Sequence, residues 1–395
     1  MAQITTDIKV PAGFKVEIIA KNIGKARHLA IAPNGDVYIK LLSVKNGHGI
    51  VVLKKLKDGT YKISEEFGNY GGTGIAIKDG FLYASSNTTV YRYKFNSNGN
   101  IENKNKPDIL VDELIDRNEH NSKSLTLDNE GYIYVNMGAY SNACQETNRT
   151  KGSVGMKPCP ILEHAGGIWR FSINKLNQKL TDGFRYATGL RNVVGLDWNQ
   201  AANSLFVMQH GRDQLQELYP QFYTQEQSNN LPAECMYQVK MGDNCGWPYS
   251  YYDGLKKQIM LMPEYGGDGI KPYTGSALQP TMYFPAHLAP NGLLFYRGGN
   301  FPESYKNGAF IVFHGSWNRE PVQEGFYVVF AQFDNNKQID NKWEVFANGF
   351  AGKETIESTN EAEHRPCGAA QDLSGNLYIS DDNKGFIYKI SYDKK

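Results

Sequence analysis

The sequence lacks the short motifs that most often declare an enzyme. It has no C-x-x-C or H-E-x-x-H pattern, no P-loop and no G-x-S-x-G elbow, and no G-x-G-x-x-G opens a helix after a strand. The usual signatures of zinc sites, nucleotide folds and α/β-hydrolases are therefore missing. It also lacks an excess of either charge. With 42 basic and 41 acidic side chains, the net charge of +1 argues against a nucleic-acid binder or a polybasic membrane protein. No apolar run approaches the roughly 20 residues needed to span a bilayer. The stretch Met1 to Lys9 has no signal-peptide core, so the chain is either cytoplasmic or follows a removed signal. Helical periodicity is scarce, and there is no linker or low-complexity segment.

Cysteine is sparse as well, at five residues. Cys144 and Cys159 are close in sequence, as are Cys235 and Cys245, and both pairs fall in long irregular insertions. Two loop-closing disulfides with Cys367 left over is the economical reading. It implies an oxidising compartment, periplasmic or secreted. Five reduced thiols is the alternative.

What the chain does have is Tyr (25), Phe (19) and Gly (40), a composition that favours strands and tight turns. One phrase recurs: a short apolar strand, a turn with Gly or Asn, then an aromatic-rich strand. It begins at Arg27, Gly72, Ser122, Asn192, Asn291 and Cys367, as in "RHLAIAPNGDVYIK" and "SKSLTLDNEGYIYVN". Alternation around Asn-Gly or Asp-Gly is a hairpin signal. Six irregularly spaced copies predict an all-β fold: a six-bladed β-propeller with loop insertions, one domain over residues 1–395. Stretches such as "HGIVVLKKL" and "TVYRYKF" suit outer strands, and "GFIYKISYD" can pair with N-terminal residues to close the ring.

Residues flanking a hairpin lie at one end of it, and in a propeller that end rims the central channel. Before the first strands come Arg27-His28, His120, Arg191-Asn192, His287 and Arg365. After the second strands come His210-Gly211-Arg212-Asp213, His314-Gly315-Ser316-Trp317 and Asp381-Asp382. Five of the eight histidines and four arginines thus converge on one face, a candidate polar site. Arg27, Arg191 and Arg365 from three blades would repel unless an anionic ligand sits among them. Taken singly, each is better read as a structural ion-pair partner; for three together the anionic-ligand reading overtakes it.

"QHGRDQLQEL" offers carbonyls and carboxylates of the type a hard cation takes; the alternative is a tight turn capped by Asp213. Beside Glu119, which could orient it, His120 suits a general base, or is simply a hydrogen-bonded surface histidine. His314 and Trp317 suit a planar ring, or serve blade packing. Asp381-Asp382 reads as a cap on the final turn.

The phrases "ATGLRNVVGLDW", "MQHGRDQL", "NCGWPY" and "HGSWNR", within a match running from "VPAGFKVEIIAKNIGKARHLAIAPNGDVYI" to "RPCGAAQDLSGNLYISDDNKGFIYKI", carry a family likeness. The chain resembles the soluble pyrroloquinoline-quinone (PQQ)-dependent sugar dehydrogenases, especially the sorbosone dehydrogenase-like branch. The resemblance implies a six-bladed propeller that uses PQQ and Ca²⁺ to oxidise an aldose-type sugar or hydrated aldehyde. Electrons then pass to an external acceptor. It implies His120 as general base, and Arg191 and Asn192 on the quinone oxygens, with Arg191 near the reactive carbonyl. Arg27 and Arg365 fall to the carboxylates, His314 and Trp317 to further cofactor contact, and the loop around Gly211, Arg212 and Asp213 to calcium.

The chain departs from members nearest bacterial soluble glucose dehydrogenase. Those have a lysine near His314-Gly-Ser-Trp317 and a two-arginine cluster where this chain has Arg365-Pro366-Cys367. A calcium-dependent lactonase on the same propeller type, or a non-catalytic sugar-binding propeller, are the competing readings.

Overall fold

The computed structural model describes residues 7–117, 119–334 and 337–393. Each recurring phrase forms a hairpin: Ala26–Ile31 with Val37–Lys45, Ile75–Lys78 with Phe81–Ser85, and Leu125–Leu127 with Tyr132–Met137. The remaining three are Val193–Asn199 with Ser204–Gln209, Pro290–Phe295 with Gly308–Phe313, and Pro366–Gln371 with Leu377–Asp381. Two further antiparallel strands complete each blade, and the first strands touch in order around a ring of six sheets. The six-bladed propeller follows.

The alternation in sequence explains why the blades stack. In the first blade Val37, Ile39 and Leu41 join a cluster with Ala370, Tyr378 and Ile387 of the last blade. Tyr38, between them in sequence, points the other way, into a cluster with Ile75, Leu82 and Ala84 of the second blade. Period-two side chains thus bury both faces of the sheet, each against a neighbour. Each such side chain stabilises the ring by roughly 1.5–3 kcal/mol.

The ring closes as the sequence predicts. Phe14–Ala20 pairs antiparallel with Ile387–Tyr392 and becomes the outer strand of the last blade. Phe14 makes edge-on contacts with Phe301, Tyr305 and Phe346, so the closing strand is pinned to the fifth blade.

At one end of the channel the ladders are interrupted. Register shifts fall between Ala26 and Leu29, Val193 and Leu196, Pro290 and Gly292, and Pro366 and Ala369. A bulge re-aims the side chain within it, and Arg27, His28 and Asn291 lie in these gaps. Neighbouring first strands also meet backbone to backbone. A Cβ added to Gly368 would lie 2.7 Å from the Arg27 carbonyl oxygen, and one on Gly292 would lie 2.7 Å from that of Cys367. Only glycine permits this pinch.

The insertions cap the same end. Cys144 and Cys159 form a disulfide. Their loop packs with Trp247, Met260 and Met262 from the insertion after the fourth blade's third strand. The second expected disulfide is absent: Cys235 and Cys245 are free and buried. Cys235 is not in a loop but in the strand Glu234–Val239, in the apolar cluster between the third and fourth blades. Burial pushes both thiols well up, which leaves them unreactive. Among the described residues no helix is long and apolar enough to cross a membrane.

Candidate active site

His120 has a backbone φ of 52°, in the left-handed region. Its loop lies directly on Gly138, where an added Cβ would come 2.3 Å from the His120 carbonyl oxygen. The ring is oriented by a backbone carbonyl: Nδ1 lies 2.5 Å from Ala139 O. A carbonyl only accepts, so Nδ1 carries the proton and Nε2 keeps its lone pair. Burial, joined by the positive charge of Arg191, lowers the imidazole to about 3. His120 is thus a neutral proton acceptor. Glu119, adjacent in sequence, does not touch the ring; it accepts hydrogen bonds from Arg149 and Asn148 instead.

Arg191 leaves the next blade beside it. Its guanidinium donates to Gly211 O at 2.8 Å and to Asp213 Oδ2 at 2.6 Å. Burial pushes the Asp213 carboxyl up, but Arg191 and Arg149 together hold it well below the usual carboxylate range. The remaining Asp213 oxygen accepts from Asn318 at 2.9 Å. Asn192 Oδ1 accepts from Asn136 Nδ2 at 3.3 Å, tying two blades together.

Across the axis, Arg27 Nη1 donates to Asp382 Oδ2 at 2.8 Å, while His314 Nε2 lies 2.6 Å from Asp382 Oδ1. Burial lowers His314, against the opposing pull of the Asp382 carboxylate. Burial pushes Asp382 up, yet His314 and Arg27 hold it well below the usual range. Of the expected cap, therefore, only Asp381 behaves as one: it accepts from the backbone amides of Arg365, Asn383 and Lys384. Asp382 belongs to the site. Arg365 donates to the carbonyls of His314 and Gly315.

The convergence expected from the hairpin flanks holds for His120, Arg191, Asn192, Arg27, His314 and Arg365. It fails for Arg212, whose fully buried guanidinium pairs with Glu264 at 2.5 Å, away from the channel. The repulsion among arginines also has an internal answer, because Asp382 and Asp213 neutralise Arg27 and Arg191. Trp317 stands 57% exposed on the loop after Phe313, free to cover a ligand. Among the described residues no three acidic, histidine or cysteine side chains gather as a metal cage.

Sequence reasoning missed Arg149, Asn318 and Glu234. Burial raises Glu234 to about 8, and it accepts from the Gly211 amide at 3.0 Å. Arg149 and Glu234 do not flank an inner hairpin, so nothing in the repeat could have marked them, and Asn318 lies one residue beyond the flank that ends at Trp317.

This arrangement sits on a recognisable chain. A family model described as TrAA12-like matches residues 8–253 and 273–393. The chain belongs to the TrAA12-like family. The TrAA12-like fold is shared with a calcium structure of a Trichoderma reesei carbohydrate-active enzyme of family AA12, at TM-score 0.79 and 17% identity over 99% of both chains. It is shared too with the holo PQQ domain of Coprinopsis cinerea pyranose dehydrogenase, at TM-score 0.74 and 19% identity over 98% of both chains. In sequence, the PQQ-dependent pyranose dehydrogenase of that fungus is 26% identical over 51% of this chain, a match that spans only 30% of its own length. An uncharacterized protein of Borreliella burgdorferi is 27% identical over 99% of this chain and 93% of its own.

Proposed function

We propose that this TrAA12-like protein is a PQQ-dependent dehydrogenase that oxidises an aldose-type sugar or hydrated aldehyde and passes electrons to an external acceptor. The observation that carries the reading is the pairing of a neutral histidine, Nε2 unprotonated, with arginine donors still to be used. Arg191 Nε is buried without a hydrogen-bond partner among the described residues, and Arg365 donates to two carbonyls and lies over the Phe326 ring. Arginine donors beyond those consumed by Asp213 and Asp382 fit a planar group bearing carboxylates. Arg365, Arg191 and His314 would hold it, with Arg27, Asn192 and the Trp317 indole as further contacts.

PQQ, when bound, supplies the two-electron acceptor that no side chain provides. The chain's own residues do the rest. His120 Nε2 takes the hydroxyl proton of the substrate, and the Ala139 carbonyl stabilises the resulting imidazolium through Nδ1–H. Burial keeps His120 unprotonated across the neutral range, and a bound anionic group would raise its basicity toward the operating pH, where a general base works best. Arg191, fixed by Asp213, presents its positive charge where negative charge develops.

For calcium, the loop offers oxygen donors, the type the ion takes. The Asp213 carboxylate is already engaged by Arg191, Arg149 and Asn318. The Gly211 carbonyl is engaged too, by Arg191 at 2.8 Å, so the Gly211 and Arg212 carbonyls would hold the ion only with Arg191 turned away from Gly211, and no step is routed through the ion. The disulfide supports an oxidising compartment, and the sorbosone-like branch is the reading favoured by His314-Gly-Ser-Trp317.

Reconstitution with PQQ and Ca²⁺, followed by dye reduction across a panel of sugars and aldehydes, tests this. Substrate-dependent reduction is expected. Lactone hydrolysis with metal alone, and no dye reduction, would replace the dehydrogenase reading by that of a hydrolase.

A further inference from the structure

The disulfide-closed loop carries a side chain that the chemistry above leaves without a role. Arg149 sits near its tip with a φ of 54°. Its Nε donates to Glu119 Oε1 at 3.0 Å, and its Nη2 reaches Glu119 Oε2 at 3.3 Å. The same Nη2 donates to Asp213 Oδ2 at 3.0 Å, and Nη1 to Gln214 Oε1 at 2.8 Å. Glu119 immediately precedes His120. Asp213 Oδ2 is the oxygen that Arg191 also holds. One guanidinium therefore joins the loop that carries the base to the loop that fixes the neighbouring arginine.

The loop is built to hold that guanidinium still. Asn148 Oδ1 accepts from Ser141 Oγ and the Asn142 amide, while Asn148 Nδ2 donates to Glu119 Oε1 at 2.9 Å. Gln145 accepts from the Arg149 amide and donates to the carbonyls of Thr150 and Ser153. Beneath them lies the Cys144–Cys159 bond. A solvent-exposed ion pair contributes little. Here Arg149 and Glu119 are each only 25% exposed, and Asp213 is 11% exposed. The planar fork is what allows two acids from different blades to be held at once, and an ammonium has no such geometry.

We propose that Arg149 is a positioning residue: it sets His120 against Arg191, and the disulfide keeps it in register. The inference rests on His120 being the base, so its test includes a measurement on the protein without cofactor. Arg149→Ala, Arg149→Lys and Cys144→Ala/Cys159→Ala chains are compared with the parent by amide hydrogen exchange, without PQQ. They are then compared by kcat and KM with it.

Arg149→Ala is expected to speed exchange about tenfold in segments 119–123 and 213–217, leaving the blade strands unchanged. Its kcat falls about 10- to 100-fold, the scale of a small displacement of reacting groups, with KM altered by less than about threefold. Millimolar guanidinium restores part of that rate, whereas Arg149→Lys stays low. The double cysteine variant falls in the same direction. Unaltered exchange in the two segments overturns the proposal, as does a kcat loss that guanidinium fails to restore or that accompanies faster exchange throughout the blades. If the parent chain reduces no dye with any sugar, the dehydrogenase reading fails, and the exchange comparison alone decides whether Arg149 joins the two loops.

Discussion

The channel has two mouths, built from opposite ends of the same hairpins, and they differ in kind. At the turn mouth the first strands diverge below the glycine pinch around a cavity of about 300 Å³, lined among others by Lys78, Asp197, Gln200, Arg297 and Gln371. It runs toward a groove of about 770 Å³ edged by Pro33, Phe95 and Leu373. Behind the site mouth, a void between Arg191, His210, Arg212 and the insertion residues Trp247, Tyr251 and Met262 is only about 10 Å³, enough for one water at most. Yet this end holds the bulges, the lowered histidines and the buried ion pairs. The turn mouth is where ordinary turns splay apart. The site mouth is lined by polar groups that orient one another, and the proposed ligand would lie over His120, His314 and Arg365.

Neutralising one carboxylate at each mouth should give the largest contrast. Asp382→Asn leaves Arg27 buried without its counter-charge, and a loss of about 3–5 kcal/mol is expected in denaturant unfolding. Asp197→Asn at the turn mouth should cost about 1 kcal/mol or less. Burial raises that carboxyl, so its charge is already disfavoured, and an amide oxygen can still accept from the Phe295 amide. Equal losses would erase the distinction between the mouths.

Turnover should separate them next. His120→Gln is expected to lower kcat by about a hundredfold or more while PQQ still binds, the usual effect of losing a general base. Arg297→Gln at the turn mouth should leave kcat within about twofold, as for a surface substitution away from the reaction. Steady-state dye reduction reads both.

The histidines of the site mouth and Asp197 at the turn mouth contribute with opposite signs to the pH dependence, and Glu234, raised to about 8 by burial, offsets the histidines in part. His28 is lowered to about 4 by burial, offset in part by its contact with Asn291 O, and His120 is lowered to about 3. The unfolded chain takes up their protons near 6.5 while the folded chain does not. Their stabilisation is therefore full above about 6.5 and is lost as pH falls toward those lower values. Asp197, raised in the folded state, gains stability as pH falls through its own range. Melting of the cofactor-free protein should thus decline from pH 7 to 5. The decline should be shallower in His28→Asn and no shallower in Asp197→Asn, which loses a contribution of the opposite sign.

The repeat made the fold legible, since every phrase became an inner hairpin and the closing strand paired as read. The same logic located His120, Arg191, Arg27, His314 and Arg365, because hairpin ends have only one place to go. It misjudged Arg212, because a loop that continues past the strand can turn its side chain outward, here onto Glu264. It paired Cys235 with Cys245; the two do share one apolar cluster, but Cys235 is held in the strand Glu234–Val239 and both remain free thiols. Asp382 was read as a cap because its partners lie 355 and 68 residues away, on other blades. Arg149 was invisible for a related reason: its role depends on how an insertion folds back, and periodicity carries no information about that.

The central claim is that the site mouth, not the roomier turn mouth, holds the cofactor. Titration of the cofactor-free protein with PQQ, followed by its absorption spectrum, compares the parent with Arg365→Met and Arg297→Gln. Saturable binding is predicted, weakened at least about tenfold by Arg365→Met through loss of a charge-assisted contact and unchanged by Arg297→Gln. Absence of binding, or weakening by Arg297→Gln with Arg365→Met unaffected, would contradict it.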